Sequence, residues 1–329
     1  MEKALTIIIP AYNVSCYIDQ EMESLLKERA IIPYLDIIIV NDGSKDDTPA
    51  KAIHYSGLYP DSVSVIDKEN GGHGSGINVG IKAAEGKYLK VLDGDDWVNP
   101  EGLKELVEYI LDAEDKPDAI INPFEKVWAD GRRQVTGFKD VPLRTEVTYK
   151  EVNEYRYTLS LHALTIRTGI YRNNDIPAID EKIYYDDMEY ILYPVPYISK
   201  IVFLSKVVYE YRWGLPGQSM NPEQMRKKLP MHTKVIASLA EYYRNNKALF
   251  NREQSDYYVR EFVDTFGGNI ELLIDTSAGF DMINEKVKAY SDFPLEKTNK
   301  RTLKLTVRYG RAGYILSRVI GCLKGYISH

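Results

Sequence analysis

Asp93-Gly94-Asp95-Asp96 sets three carboxylates within four residues, directly behind the apolar run Tyr88-Leu89-Lys90-Val91-Leu92. If that run is a buried strand, the carboxylates crowd together at its end. Like charges so close repel unless a cation holds them. Mg2+ and Mn2+ take oxygen ligands, and they commonly sit between one or two carboxylates and a substrate phosphate. The cluster therefore suggests phosphate or diphosphate chemistry with Mn2+ or Mg2+ as cofactor. An acidic turn capping the next segment satisfies the same residues, since Asp is common in turns and helix caps.

Two further segments carry chemistry. Asp42 lies in Asn41-Asp42-Gly43-Ser44, behind the apolar stretch Ile37–Val40. A carboxylate there can accept from a base N–H or a ribose hydroxyl, and Gly43 lets the backbone approach a ligand closely. A turn plus helix cap explains the same four residues. The second segment is Glu69-Asn70-Gly71-Gly72-His73-Gly74-Ser75-Gly76, leading into a helical pattern. Helix starts offer free N–H groups and a positive dipole end, and so attract phosphate. The loop departs from the dinucleotide spacing at Ile77 and from the nucleophile-elbow spacing at His73, and it lacks a Gly-Lys-Ser/Thr triplet. His73 can contact phosphate or sugar, or cap the helix.

The elements that must position these residues follow from periodicity. Strands are expected at Leu5–Ile9, Asp36–Val40, Val63–Asp67 and Tyr88–Leu92. Between them lie a helix capped by Ser15 and running to about Arg29, one over Asp46–Ser56 and one over Ser75–Ala84. Alternating strands and helices imply a parallel sheet with right-handed crossovers, and ligands of such sheets bind beyond the carboxyl ends of the strands. All the polar clusters fall there. Further on, Leu103–Leu111 reads as a helix and Ala119–Asn122 as a strand. Phe124–Trp128 and Gln134–Phe138 read as a hairpin, Asp186–Tyr193 as a helix start, and Ala163–Arg167, Ile201–Leu204 and Val207–Tyr211 as strands. From about Met225 the pattern is helical and charged.

With 329 residues, one large domain with an appendage or two domains are expected. The net charge of −6 argues against a general nucleic-acid binder. Cys16 and Cys322 are the two cysteines, so no disulfide framework exists and a reducing compartment fits. Met1-Glu2-Lys3-Ala4 runs into a strand without a signal-peptide pattern, and no apolar run approaches a membrane span. Tyrosines number 26 against 8 phenylalanines; a flat face with a hydroxyl suits sugar or base contacts as well as a protein core.

Ile7-Ile8-Ile9-Pro10-Ala11-Tyr12-Asn13, then Val40-Asn41-Asp42-Gly43-Ser44-Lys45-Asp46-Asp47-Thr48, then Asn78-Val79-Gly80-Ile81, Gly86-Lys87-Tyr88 and Asp93-Gly94-Asp95-Asp96, resembles the family 2 glycosyltransferases in order and spacing. The resemblance is tight over residues 5–100 and looser to Ser219. It implies the GT-A fold, an α/β, Rossmann-like, mostly parallel sheet with flanking helices. Residues 1–220 would form the catalytic domain and residues 221–329 a helical C-terminal region. It further implies a nucleotide-sugar donor, a UDP-sugar foremost, a divalent metal and inversion at the anomeric carbon. By position, Pro10, Ala11 and Tyr12 would line a uracil pocket and Asp42 would bind the base. Asn13, Asn70, Gly71, His73, Asn78, Gly94 and Arg212 would complete the nucleotide-sugar site. Asp93 would reach the ribose or the metal's water shell, Asp95 would ligate the metal directly, and Asp96 would support both. Many relatives carry Ala-Arg-Asn where this chain has Gly76-Ile77-Asn78, and His73 is a candidate substitute for the missing Arg.

An inverting transfer also needs a base for the acceptor hydroxyl. Relatives place a Glu-Asp pair at a helix start well beyond the metal motif. Tyr184-Tyr185-Asp186-Asp187-Met188-Glu189 occupies that place, which implies Asp187 as base with Asp186 and Glu189 as rivals. Arg212 could neutralise phosphate and Trp213 could stack on a sugar, in a segment extending to Gln218-Ser219. Past Glu296 no acidic residue follows, while Lys297, Lys300, Arg301, Lys304, Arg308, Arg311, Arg318 and Lys324 are basic. They interleave with Ile315, Leu316, Val319, Ile320, Leu323 and Ile327 at helical spacing. Such a helix suits an anionic membrane surface with lipid-linked acceptors, or packing on the protein or a second subunit of a homo-oligomer. A cytoplasmic enzyme, peripheral on the inner face of the cell membrane, is the resulting expectation. A sugar nucleotidyltransferase would need an N-terminal phosphate loop that Ile9–Asn13 does not supply. A non-catalytic nucleotide- or glycan-binding subunit would tolerate loss of the carboxylates, which are all present.

Overall fold

The structure is a computed structural model that describes residues 1–113, 116–214, 222–275 and 278–327. The chain divides into two compact units, Met1–Pro216 and Gly217–His329. In the first, the strands are β1 (Leu5–Ala11), β2 (Leu35–Asn41), β3 (Val63–Asp67), β4 (Tyr88–Val91), β5 (Trp97–Val98), β6 (Ala119–Ile121), β7 (Phe124–Trp128), β8 (Arg133–Thr136), β9 (Glu146–Val147), β10 (Leu164–Arg167), β11 (Ile201–Phe203) and β12 (Tyr209–Trp213). The helices are α1 (Ile18–Leu25), α2 (Thr48–Leu58), α3 (His73–Ala83), α4 (Pro100–Asp112), α5 (Tyr149–Glu154), α6 (Thr168–Asn173) and α7 (Asp187–Leu192).

Eight strands form one sheet in the order β3-β2-β1-β4-β10-β6-β11-β9. β1 and β2 are apolar along nearly their whole length because both sheet faces are covered, the pattern of a parallel core strand. They pair in parallel from Leu5↔Leu35 to Ala11↔Asn41, while β4 pairs in parallel with the other edge of β1. The strand order reverses between β1 and β4, and a doubly wound sheet opens its ligand crevice at such a switch. Tyr12 and Asp93 therefore leave the sheet side by side. β10 runs antiparallel to β4 and β6, which makes the sheet mixed on that side.

A second sheet, β5-β12-β7-β8, was not foreseen in the sequence. β5 follows the aspartate cluster immediately and pairs antiparallel with β12 at Glu210↔Trp97, which brings Tyr209 and Arg212 to the carboxylates. The hairpin expected around Asp130-Gly131 forms as β7 and β8, the second strand ending at Thr136 rather than Phe138. The strand expected at Val207–Tyr211 lies two residues later, so Arg212 and Trp213 are strand residues.

Several helix starts differ from expectation: α3 begins at His73 and α4 at Pro100, two and three residues early, and α1 and α2 begin late. Ser15 does not cap α1: its N–H donates to Asp46 at 3.1 Å and its carbonyl accepts from Lys51, so the segment is tied to the neighbouring loop. α1 starts beyond Tyr17 without a side-chain cap and ends at Leu25, short of Arg29. Asp46 lies outside α2, where its carboxylate accepts the Thr48 N–H.

The second unit holds α8 (Pro222–Lys227), α9 (Leu229–Asn246), α10 (Arg252–Asp275), α11 (Phe280–Ala289) and α12 (Arg301–Ile327). Its core is aromatic: Tyr243 stacks on Tyr258 with centroids 5.2 Å apart, and Phe262 meets Phe293 at 4.1 Å. α12 breaks at Gly310 (φ 54°, ψ −129°). Beyond the break Ile315, Leu316 and Val319 are exposed among Arg311 and Arg318. The side chains of Leu323, Lys324 and Ile327, like residues Gln218 and Ser219, lie outside the described residues. No helix among those described is long and apolar enough to cross a membrane.

Gly102 fixes how α4 seats behind this layer. A Cβ there would lie 1.7 Å from the Val207 carbonyl oxygen. Gly→Ala inside a helix ordinarily stabilises by about 1 kcal/mol. Here the backbone clash reverses the sign, and Gly102→Ala is expected to cost about 2 kcal/mol, read as a lowered urea midpoint.

Candidate functional site

Asp93, Asp95 and Asp96 sit in a tight turn at the end of β4, closed by the Asp96 N–H donating to the Asp93 carbonyl at 2.9 Å. Asp96 is fully buried. The Tyr209 hydroxyl lies 2.6 Å from one Asp96 oxygen and 3.0 Å from Asp93 Oδ2, so a single proton serves two carboxylates. The Arg212 N–H donates to the other Asp96 oxygen at 2.7 Å. Its guanidinium donates to the Asp95 carbonyl and Gln20, and lies 4.6 Å from both the Tyr17 and Trp97 ring centres.

His73 opens α3, and its ring spans two carboxylates: Nε2 is 2.9 Å from Asp93 Oδ1, and Nδ1 is 3.0 Å from Asp186 Oδ2. Burial disfavours its charge, but Asp186 and Asp93 outweigh that and hold its pKa well above the ordinary value. The imidazolium in turn carries Asp93 down to about 2 against the cost of burying it. Asp95 goes the other way, raised to about 6 by burial and by Asp93. Asp96 is raised well above its ordinary value by burial, Asp95 and Asp93. Asp187, half-buried beside Asp186, is raised to about 6 by burial and its neighbour. Tyr185, just before this pair, holds a left-handed backbone at φ 72°.

Asp42 and the glycine-rich loop form a second centre. Gly71 N–H and Gly72 N–H each donate to the Asp42 carboxylate at 2.8 Å, and Lys68 Nζ reaches it at 2.6 Å. Asn70 donates to the Asp42 carbonyl at 2.9 Å. An open cavity of about 440 Å³ lies against this loop, lined by Tyr12, Gly43, Lys45, Lys68 and Asn70 among others. Tyr12 is 50% exposed, whereas Pro10 and Ala11 are buried beneath it. Asn13 faces the 44–45 turn, where its side chain accepts the Lys45 N–H. Gly94 permits the turn to pass close to the Pro10 carbonyl oxygen. Asn78 does not face the cavity; its amide holds the Ile179 backbone. Trp213 carries the Lys126 ammonium 3.7 Å above its ring.

Three groups at this site had no place in the sequence reading. Donor atoms of Asp93, Asp96 and His162 lie within 4.8 Å of one another. His162 Nδ1 is buried and has no hydrogen-bond partner among the described residues, and burial lowers its pKa to about 4. Both Glu21 oxygens are equally orphaned on the buried face of α1, and burial with Asp96, Asp95 and Asp93 raises that carboxyl well above its ordinary value. Two carboxylates and a neutral imidazole are ligands that divalent cations accept, so the donor set fits a metal. Asp95, expected as the direct ligand, is not one of these three. A charged residue among Ile18, Met22 and Leu25 was the visible signal for Glu21. His162 and Tyr209 come from strands distant in sequence and left no local signal.

A doubly wound sheet with acidic residues and a glycine-rich loop at its switch point defines an α/β protein of GT-A type. Residues 6–158 match Glycosyl transferase family 2, and the chain carries a domain of that family. Over 127 residues it is 31% identical to the minor teichoic acid biosynthesis protein GgaB of Bacillus subtilis, covering 39% of this chain and 14% of that protein. Over 216 residues it is 27% identical to the poly(ribitol-phosphate) beta-N-acetylglucosaminyltransferase TarS of Staphylococcus aureus, covering 66% of this chain and 36% of TarS. The chain thus spans about a third or less of these curated relatives. The crystal structure of S. aureus TarS 1–349 superposes with TM-score 0.66 at 21% identity, covering 96% of this chain and 89% of that one. A complex of the same fragment with UDP-GlcNAc superposes at 0.57 and 22% identity over 96% and 89% of the two chains. A mannosyltransferase of Pyrobaculum calidifontis, in complex with GDP-Man and Mn2+, does so at 0.51 and 13% over 98% and 88%. At these identities the structures establish the shared fold.

Crowding has a measurable cost. A carboxyl whose folded pKa lies above its unfolded value binds its proton more tightly when folded, so its contribution falls as pH rises through the folded pKa. For Asp95 that window runs from the ordinary carboxylate range to about 6. Without divalent cations, Asp95→Asn is expected to raise stability at pH 7.5 by about 2 kcal/mol, with no gain at pH 4. Urea unfolding at the two pH values checks this.

Proposed function

We propose that the chain is an inverting, metal-dependent glycosyltransferase. It would move a sugar from a nucleotide-sugar, a UDP-sugar, to a hydroxyl of a glycan or lipid-linked acceptor in cell-surface polysaccharide synthesis. The observation that supports this best is that His73 ties Asp93 to Asp186, the immediate neighbour of Asp187. One half-buried carboxylate poised near pH 6 thus stands beside a cluster suited to a diphosphate. The names and ligands of the similar proteins point the same way.

In this reading Tyr12, Asn70 and Asp42 receive the base. Asp42 must then exchange part of its bonding to Lys68, Gly71 and Gly72 for a base N–H, so donor affinity is the difference between two satisfied networks. Asp93 and Asp96 with His162, assisted by Asp95, would hold the divalent cation. When bound, the cation supplies charge neutralisation for the departing diphosphate. Arg212, fixed between Tyr17 and Trp97, adds positive charge beside Asp95. Asp187 takes the proton from the acceptor hydroxyl as that oxygen bonds to the anomeric carbon. The bond to diphosphate breaks on the opposite face, which inverts the centre. Asp186 is less suited to this role because it is buried and held by His73. The exposed Arg311 and Arg318 of α12 would suit an anionic bilayer carrying a lipid-linked acceptor.

Calorimetric titration with UDP, with and without Mn2+, is the first test. Binding should require Mn2+ and vanish in Asp95→Ala; equal binding without metal would remove the metal from the reading. Asp187→Asn should lower kcat about 10³-fold with UDP affinity retained. The kcat of the unsubstituted protein should rise with pH, half-maximal near 6. A flat profile from pH 5 to pH 8 would exclude Asp187 as base.

A further inference from the structure

α3 grips residues 179–187 along their length. The Asn78 side chain donates to the Ile179 carbonyl at 2.8 Å and accepts the Ile179 N–H at 2.9 Å, engaging both backbone polar groups of one residue. Lys182 N–H donates to the Gly71 carbonyl at 2.8 Å. Gly74 leaves no room for a side chain, since a Cβ would lie 2.5 Å from the Asp180 carbonyl oxygen and 2.9 Å from Asp186 Oδ2. Asp180 N–H donates to Glu189 at 2.6 Å, which ties the same segment to α7. His73 completes the row by joining Asp186 to Asp93.

We propose that α3 is a clamp that sets the distance between the donor carboxylates and the acceptor-side base, with Asn78 and His73 as positioning residues and not nucleotide ligands. This rests on the transferase reading above. Asn78 has spent its amide oxygen and an amide N–H on Ile179, and Ile179 is continuous with the backbone that delivers Asp186 and Asp187. The His73 ring contacts carboxylates through both nitrogens, leaving no ring nitrogen for a phosphate. Releasing either residue frees the base segment while the cavity beside Asp42 keeps its lining. A base displaced by about 1 Å costs about 10²-fold in rate.

Asn78→Ala is the decisive variant, because it touches neither Asp93 nor the cavity. Hydrogen exchange across residues 179–187 should accelerate at least about tenfold when the Ile179 amide loses its acceptor. With UDP-GlcNAc as donor probe, kcat should fall about 10- to 100-fold, while donor KM and UDP affinity stay within about threefold. His73→Gln should also lower kcat, and combining it with Asp186→Asn should cost no more than the worse single change, as for residues acting as one unit. Unchanged exchange overturns the clamp, as does about tenfold weaker UDP binding with kcat retained, which would make Asn78 a nucleotide ligand. If Asn78→Ala does not fold, Asn78→Asp keeps the acceptor for the Ile179 N–H and should show a smaller rise in exchange and a smaller loss of kcat. Unsubstituted protein that turns over no nucleotide-sugar refutes the transferase reading instead, and the exchange experiment still decides the clamp.

Discussion

Negative charge confined at one sheet edge is the constraint to which the first unit is built. Asp93, Asp95, Asp96, Asp186, Asp187 and Glu21 meet in a partly dehydrated space where burial and the neighbouring carboxylates raise the cost of ionising Asp95, Asp96, Asp187 and Glu21. The compensations come from afar: His73 from the glycine-rich helix, Tyr209 and the Arg212 backbone from the small sheet. These contacts explain why a second sheet exists. Without β5 pairing to β12, the turn at Asp93–Asp96 would lose the Tyr209 hydroxyl and the Arg212 amide that hold its carboxylates.

The two carboxylate centres are handled differently. At Asp42 the charge is met locally, by one ammonium and two backbone amides of the adjacent loop. At Asp93 it is met by a side chain that simultaneously engages Asp186, so the turn after β4 and the start of α7 share one proton-bearing ring. A change at either carboxylate must therefore be felt at the other, whereas a change at Asp42 should remain confined to its loop.

Legibility in the sequence followed the range of the interactions. The continuous apolar runs of β1, β2 and β4 announced buried parallel strands, and the order of polar clusters behind them announced the crevice. Asp93, Asp95, Asp96, Asp42 and the Asp186-Asp187 pair were visible because their neighbours in sequence are also their neighbours in space. His162 and Tyr209 were not visible, because only strand pairing brings them to the cluster. Asn78 was visible, but its partner was not. Its motif pointed to the nucleotide, while its amide turns to a backbone unit a hundred positions away, a choice that tertiary packing makes and local pattern does not encode. Ser15 failed as a cap for the same reason, its backbone being claimed by Asp46 and Lys51.

Tyr185 holds a left-handed backbone immediately ahead of Asp186. For a bulky side chain that conformation costs about 1–3 kcal/mol, which glycine would relieve. Position 185 is thus where ease of the backbone and a rigid hold on the acidic pair part company. A lineage screened only for heat resistance would drift toward glycine or asparagine there, and would surrender the rigidity with which the acidic pair is delivered.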